Sequence, residues 1–520
     1  MAEEQNLENS MAGRREWIGL AVLALPCMLL SMDLTVLHLA VPSLSAQLKP
    51  SSAQLLWIVD IYGFMSAGSL ITMGTLGDRI GRRKLLLIGA AAFGVASVAA
   101  AFSTTPAVLI TTRALLGVAG ATLMPSTLAL IRNMFHNPRQ RSTAIASWLN
   151  SFMVGGAIGP LLGGFMLEHF WWGSVFLLNV PVMAMLIALG PFLLPEFRDP
   201  NYGRLDIPSA GLSLVAILSV IYGIKQVAQD GLSVIAAAAI VTGVALGVVF
   251  VARQRKLAHP LIDLRLFTVP AFSASVTTQL VSLVAMAGIY FFVAQYLQLV
   301  LGLSPLVAGL WLLPSTAAGM IGSFLTPAIG RRVRAGYVVG GGLVIAALGM
   351  LVLTGVAGAG LALVVTGFVI ISAGLNPTLT MTTDLIMGVA PPDRAGAASA
   401  ISETSCELGL ALGLAILGSV GTASYRRIMA ADALAGIPAE SLNAARGSLG
   451  GALGVAERIG GDSGDALLGL ARVAFTQSLA LVAAISAGIV LATAIFATVR
   501  LRQIPIRPES VEQQEISAAA

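Results

Sequence analysis

The chain has 520 residues, of which 57% are hydrophobic and 11% charged, against about 25% charged residues in soluble domains. Together with a mean hydropathy of +0.88, this excludes a water-soluble globular protein. The net charge of +5 leaves nucleic acid and membrane surface as partners, to be decided by where the charges fall. Cys27 and Cys406 both lie in apolar runs, which removes a disulfide framework and a thiolate metal site. The lysines Lys49, Lys84, Lys225 and Lys256 follow Leu, Arg, Ile and Arg, so there is no phosphate-binding Gly-Lys loop. The histidines form no HExxH pair and have no cysteine partners at zinc spacing, so no metal and no cofactor is expected.

Apolar runs of about 20 residues recur along the chain, each long enough to cross a hydrocarbon core roughly 30 Å thick. None alternates with a period of two, which excludes an outer-membrane barrel. Counted between polar breaks, the runs predict an all-α polytopic membrane protein of fourteen helices. These begin near Trp17, Ala53, Leu85, Pro106, Ser142, Trp172, Pro208, Ser233, Ala271, Ser304, Tyr337, Leu361, Ala397 and Val473. The first run, residues 17–41, is too long for a signal-peptide core and reads as a retained anchor.

Basic residues concentrate in alternate connections: Arg79, Arg82, Arg83 and Lys84, then Arg253, Arg255 and Lys256, then Arg331, Arg332 and Arg334. The intervening short loops hold little beyond Lys49 and Lys225. By the positive-inside rule, both termini are predicted in the cytoplasm, and the basic clusters read as topology and lipid-headgroup contact, with no nucleic-acid partner. One outer loop, residues 422–472, is long and carries five arginines and five acids. Its Leu442, Leu449 and Leu453 fall on one helical face and predict a short helical hairpin, read as a passive lid in preference to a gate.

Between helices two and three runs Gly74-Thr75-Leu76-Gly77-Asp78-Arg79-Ile80-Gly81-Arg82-Arg83-Lys84, in which glycines permit a tight turn and Asp78 can cap a helix and pair with an arginine. This string resembles the GxLaDrxGrk motif of the major facilitator superfamily, and Gly330-Arg331-Arg332 is a weaker echo one half-molecule later. Helix four carries Leu109, Arg113, Gly117 and Gly120, similar to the family's LxxxRxxqGxga pattern, with Leu116 where glutamine is usual. Helix five carries Gly155, Gly159, Pro160, Gly163 and Gly164, a spacing that strips one face and lets a neighbour approach. It resembles the gxxxGPxxGG signature of antiporters. Helix one contributes Asp33-Leu34-Thr35-Val36-Leu37-His38-Leu39-Ala40-Val41-Pro42, similar to the lDxTvvnvALP motif of fourteen-helix drug:proton antiporters, with His38 in place of asparagine.

With Ser402-Glu403-Thr404-Ser405-Cys406-Glu407-Leu408-Gly409 in helix thirteen, the whole pattern resembles pumps for quaternary ammonium compounds, dyes and viologens. The resemblance implies two six-helix bundles joined by two extra helices. The expected division is a tail 1–16, a bundle 17–200, linking helices 201–256, a bundle 257–498 that includes the loop 422–472, and a tail 499–520.

Ionisable groups inside a membrane each cost at least about 2.5 kcal/mol and need a partner or a task. Asp33, Asp60 and Arg113 lie at similar depth in the outer half, so one acid can pair with Arg113, as a structural lock or as a coupling device. Glu403 and Glu407 are four apart on one face of helix thirteen, where like charges favour holding a proton that a cation could displace. Asp384, near the inner end of helix twelve, ranks below them. Trp57, Tyr62, Trp148 and Tyr290 are the aromatic candidates for lining a cavity and attracting cations.

The resemblance implies a bacterial inner-membrane exporter, monomeric and not an enzyme, that exchanges protons for lipophilic cations among membrane lipids. An exporter or flippase of an endogenous lipid or metabolite, and a proton-coupled nutrient importer, stand as alternatives.

Overall fold

The computed structural model describes residues 11–135, 137–196, 206–230, 233–257, 264–330, 332–389, 395–431 and 439–502, and every regular element among them is helical. In chain order they are α1 (Arg14–Leu48), α2 (Ser52–Ile80), α3 (Arg82–Ala101), α4 (Pro106–Met134), α5 (Pro138–His169), α6 (Asn179–Leu193), α7 (Ile207–Asp230) and α8 (Val234–Lys256). Then follow α9 (Pro270–Gln295), α10 (Pro305–Gly330), α11 (Ala335–Thr354), α12 (Val356–Val389) and α13 (Ala395–Gly413), which continues through a π turn into Ser419–Ala431. A hairpin of α14 (Ala439–Gly447) and α15 (Leu449–Ile459) precedes the long α16 (Gly461–Leu501).

Helix starts follow local chemistry. Ser51 caps α2 by accepting from Gln54 N at 3.2 Å while the Gln54 side chain accepts from Ser51 N at 3.0 Å. Thr105 caps α4 ahead of Pro106 at its first turn, and Ser233 caps α8. Twelve of the described helices are long and apolar enough to cross a membrane. By length alone, α2 with 29 residues and α7 with 24 could also cross, so the described helices supply twelve to fourteen crossings against the fourteen expected.

By contact the chain forms two units. The first comprises Met1–Leu261, Gly302–Leu310 and Leu434–Leu468; the second comprises Ile262–Leu301, Trp311–Ala433 and Gly469–Ala520. In the first, α1 packs on α5, α2 and α3 on α4, α6 on α3, and α7 on both α8 and α2. In the second, α11 pairs with α12 and α9 with α13. Lipid tails supply little hydrophobic drive between helices, so close backbone approach is what holds these pairs. A Cβ added at Gly342 would stand 2.6 Å from the Gly374 carbonyl, and one at Gly349 equally near that of Gly367.

The loop expected over 422–472 is shorter than its polarity suggested. The continuation of α13 runs to Ala431, and α16 begins at Gly461 instead of near Val473. Tyr425 and Met429 at one end, and Leu467 and Ala471 at the other, are buried, so protein packing carries both helices beyond their apolar spans. The expected hairpin is present, but Ser448 interrupts it, its hydroxyl capping α15 by accepting from Gly451 N at 3.1 Å. Leu442 and Leu449 therefore sit on different helices, and the buried positions include Ala445, Leu449, Ala452, Val455 and Ala456. The hairpin groups with the first unit, where Gly450 faces Ser45 of α1.

Candidate functional site

In the first unit, α4 places Arg113 at 1% exposure. Its Nη1 donates to Asp33 Oδ2 of α1 at 2.6 Å and its Nε to the Ile58 carbonyl of α2 at 3.3 Å. The Tyr62 and Phe176 rings lie 4.7 and 5.8 Å from the guanidinium carbon, within cation–π range. Asp33 also borders a narrow crevice with Met32, Val36 and Asn179. A desolvated pair of this kind is costly to assemble and more costly to break, since either partner alone is an uncompensated buried charge. Of the two acids expected at this depth, Asp33 bonds the arginine directly. Asp60 is also buried, at 2% exposure. It lies two residues from Tyr62, about 200° around the helix, so it belongs to the opposite face, with Trp57 and Phe64, whose rings meet edge to face at 6.5 Å.

The turn between α2 and α3 is built on Gly81, whose φ of +111° is open to glycine and strained for other residues. Behind it stands Glu196, which follows α6: its Oε1 accepts from Arg83 N at 3.1 Å, and its Oε2 lies 3.5 Å from Arg83 Nε. Arg83 Nη1 also donates to the carbonyls of Pro191 and Leu194, at 3.2 and 3.0 Å. The motif is thus tied to the end of α6. Arg79 is exposed, Arg82 and Gly74 are half-buried, and the side chain of Asp78 lies outside the described residues, as does Arg331 of the echo.

The glycines of α5 carry out the close packing their spacing suggests. Gly155 abuts the Met28 carbonyl, Gly159 abuts Thr35, and a Cβ at Gly163 would stand 2.5 Å from Val36, all on α1. On the same unit, a Cβ at Gly164 would meet the Leu306 backbone at 2.6 Å, and the Pro160 carbonyl lies 2.5 Å from a Cβ at Gly309. Trp148 is 3% exposed, and its carbonyl accepts from Ser151 Oγ of α5 and Cys27 Sγ of α1. Its indole Nε1 is buried without a hydrogen bond among the described residues, whereas Trp57 is half-buried.

In the second unit, α13 carries Glu403 and Glu407, both half-buried, and Glu407 Oε2 is buried without a hydrogen bond among the described residues. The neighbouring residues are tied to α9. Gln279, at 2% exposure, accepts from Ser402 Oγ at 3.1 Å through Oε1 and donates from Nε2 to Cys406 Sγ at 2.7 Å. Close backbone contact makes this reach short, since a Cβ at Gly409 would stand 2.8 Å from the Leu280 carbonyl and Gly413 abuts that of Val284. Tyr290 of α9 packs against Phe368 of α12 at 5.5 Å. Asp384 is exposed. No group of His, Cys, Asp and Glu among the described residues could hold a metal ion.

Sequence reasoning missed Gln279 and Glu196. A signal for the first exists: Ser275, Thr278, Gln279 and Ser282 recur at helical spacing in an otherwise apolar helix. For Glu196, placed by the end of α6, there was none.

Comparison with known proteins fits this architecture. The Major Facilitator Superfamily model matches residues 23–414. The chain is 44% identical over 490 residues to the multidrug efflux pump LfrA of Mycolicibacterium smegmatis, covering 94% of this chain and 97% of that one. It is 37% identical over 476 residues to the methyl viologen resistance protein SmvA of Salmonella typhimurium, covering 89% and 94%. The fold matches that of a bacterial homologue of the human lysosomal transporter Spinster with a TM-score of 0.67, at 17% identity over 95% of this chain and 99% of the other. A glycine-hinged turn between α2 and α3, a glycine face on α5 packed against α1, and relatives that are efflux pumps agree: this chain belongs to the Major Facilitator Superfamily and is a multi-pass membrane transporter, not an enzyme.

Proposed function

We propose that the protein is an inner-membrane multidrug exporter that exchanges protons for lipophilic mono- and dications, among them quaternary ammonium compounds, dyes and viologens, as a monomer. The observation that carries the reading is the Glu403 and Glu407 pair on α13, a helix with no lysine, arginine or histidine in Ala395–Gly413. Its packed partner α9 has none in Pro270–Gln295. Acids set in a membrane without a basic neighbour on either helix are suited to carry a proton, or a cation in its place. The pump LfrA and the viologen-resistance protein SmvA support the substrate class.

Alternating access follows if protonated acids favour one facing state and cation-bound acids the other, because a ligand shifts a conformational equilibrium only through differential affinity. One charge crossing the membrane is worth about 2.3 kcal/mol per 100 mV, so exporting a dication against a single proton works against the field. Two protons per dication make the exchange electrically neutral. Asp33, Asp60, Glu403 and Glu407 supply enough carboxyls for it, with Asp33 held by Arg113.

Purified protein in liposomes with an imposed pH gradient tests this directly, with internal pH followed by an entrapped dye on adding methyl viologen. Cation-triggered proton flux that disappears in Glu407→Gln and in Asp60→Asn is the expected result. Normal proton-driven transport by both variants would refute the site assignment, and cation movement that leaves internal pH unchanged would refute the coupling.

A further inference from the structure

We propose that Gln279 of α9 is a positioning residue for the glutamate pair: by holding Ser402 and Cys406 it fixes the rotation of α13, and so the place at which both carboxyls exchange their protons. This inference rests on the proton-exchange reading above.

Ser402 and Cys406 are one helical turn apart, and each immediately precedes a glutamate. The Gln279 amide engages them in opposite senses, accepting from the Ser402 hydroxyl and donating to the Cys406 sulfur. A primary amide has both a donor and an acceptor at its tip; an aliphatic residue of the same length has neither. The Ser402 hydroxyl could instead have bonded the preceding turn of its own helix, as Ser405 Oγ does to the Ile401 carbonyl at 2.7 Å. Its donation across to α9 is therefore a tie between helices. Two ties on successive turns, next to the backbone contacts at Gly409 and Gly413, leave α13 little freedom to turn about its axis. Each glutamate sits about 100° around from the residue Gln279 holds, so a rotation of α13 carries both carboxyls together.

Among the described residues, few other charged groups lie on the elements packed around them, one being the exposed Arg265 beside Leu266, which packs with Ala398 and Ile401 of α13. On α13 itself the titratable groups are Glu403, Cys406 and Glu407. On α9 there is only Tyr290, toward the far end. On α12, which also packs on α13, there is only the exposed Asp384. On α16, whose Phe475 meets Tyr425 in the continuation of α13, there are Asp462, Asp465, Arg472 and Arg500 near the helix ends. The position of α13 thus has little competition in setting how the pair titrates.

The test is the pH dependence of methyl viologen-coupled proton flux in proteoliposomes. It compares the wild type, Gln279→Leu, Ser402→Ala/Cys406→Ala, the triple variant, and Glu407→Gln as a control. The expected result is a midpoint displaced by about half a pH unit or more in Gln279→Leu, the size that one lost buried hydrogen bond implies. The Ser402→Ala/Cys406→Ala variant, which leaves Gln279 in place, should reproduce the displacement, and the triple variant should add nothing to it. A wild-type midpoint in Gln279→Leu, or displacements that sum in the triple variant, would overturn the proposal. Should Gln279→Leu fail to fold, the variant lacking both α13 partners decides alone. A Glu407→Gln control with unaltered coupling would instead overturn the assignment of proton exchange to this pair, and cation movement without any proton flux in the wild type would overturn the proton-exchange reading itself.

Discussion

Arg113 is where the first unit is most exposed to a single substitution. Its guanidinium is charged, has a side chain 2% exposed, and is matched by the Asp33 carboxylate at 2.6 Å. Arg113→Gln leaves that carboxylate buried without its counter-charge, for which the expected cost is about 3–5 kcal/mol. Asp33→Asn is milder, because an amide oxygen still accepts from Nη1, the Ile58 carbonyl still accepts from Nε, and the Tyr62 ring still faces the cation. Losing the charged character of that bond costs about 1.5–3 kcal/mol. In the double variant two amides of similar shape can bond one another with no buried charge, at an expected cost of about 1–2 kcal/mol. The single costs then exceed the double by about 2.5 kcal/mol or more, a coupling well outside the scatter of independent sites. Reversible unfolding in mixed micelles, followed by the fluorescence of the chain's six tryptophans, would measure it. Additive costs, or a double variant no more stable than Arg113→Gln, would refute the view that the pair dominates this part of the fold.

Three further outcomes follow from the packing and the charges. Gly155→Ala sets a methyl against the Met28 backbone carbonyl, which cannot rotate aside, and should cost about 1–3 kcal/mol or more. Gly211→Ala on α7 meets nothing within 4 Å and should be neutral or stabilising, so a melting temperature lowered by Gly155→Ala and not by Gly211→Ala is the check. Gly81→Ala should cost about 1–3 kcal/mol from its φ of +111° alone. Because that strain is independent of the clash with Glu196, a Glu196→Ala background should leave it in place, and full rescue there would show that only the side-chain contact mattered. At the start of α7, burial raises the pKa of the Asp206 carboxyl, but hydrogen bonds from Arg253 and Ser209 outweigh it and hold the group below its ordinary 3.8. A depressed carboxylate stabilises fully above the ordinary value and ceases to as pH falls through the lower, folded one. The gap in melting temperature between wild type and Asp206→Asn should therefore stay constant across neutral and mildly acidic pH and close only below 3.8; closure near neutrality would contradict the assignment.

Hydropathy placed most helices within a few residues, as at Pro106 and at Val234 behind its Ser233 cap, because an apolar span and a cap are both local properties. It misplaced the start of α16 because residues 461–472 are polar in composition yet bury Leu467 and Ala471 against protein, which a lipid-based scale does not register. At the site, depth arithmetic brought Asp33 to Arg113 but could not separate it from Asp60. Counting residues along a helix gives height, whereas facing depends on azimuth, and the 200° or so between Asp60 and Tyr62 is legible only once Tyr62 is known to face the arginine.

The same limit explains why Glu403 and Glu407 were visible and Gln279 was not. A carboxyl in an apolar run demands an explanation by itself, while a lone amide does so only through the partners that topology gives it, here two residues of a helix more than 120 positions away. The two units consequently treat their buried acids differently. Asp33 has the buried Arg113 guanidinium as its counter-charge, bonded at 2.6 Å. Glu403 and Glu407 have no lysine, arginine or histidine on α13 or on the packed α9 to serve as a counter-charge. That difference is why the proposed coupling step is placed on α13, and why substitutions at Arg113 should be read first as perturbations of stability and only then of transport.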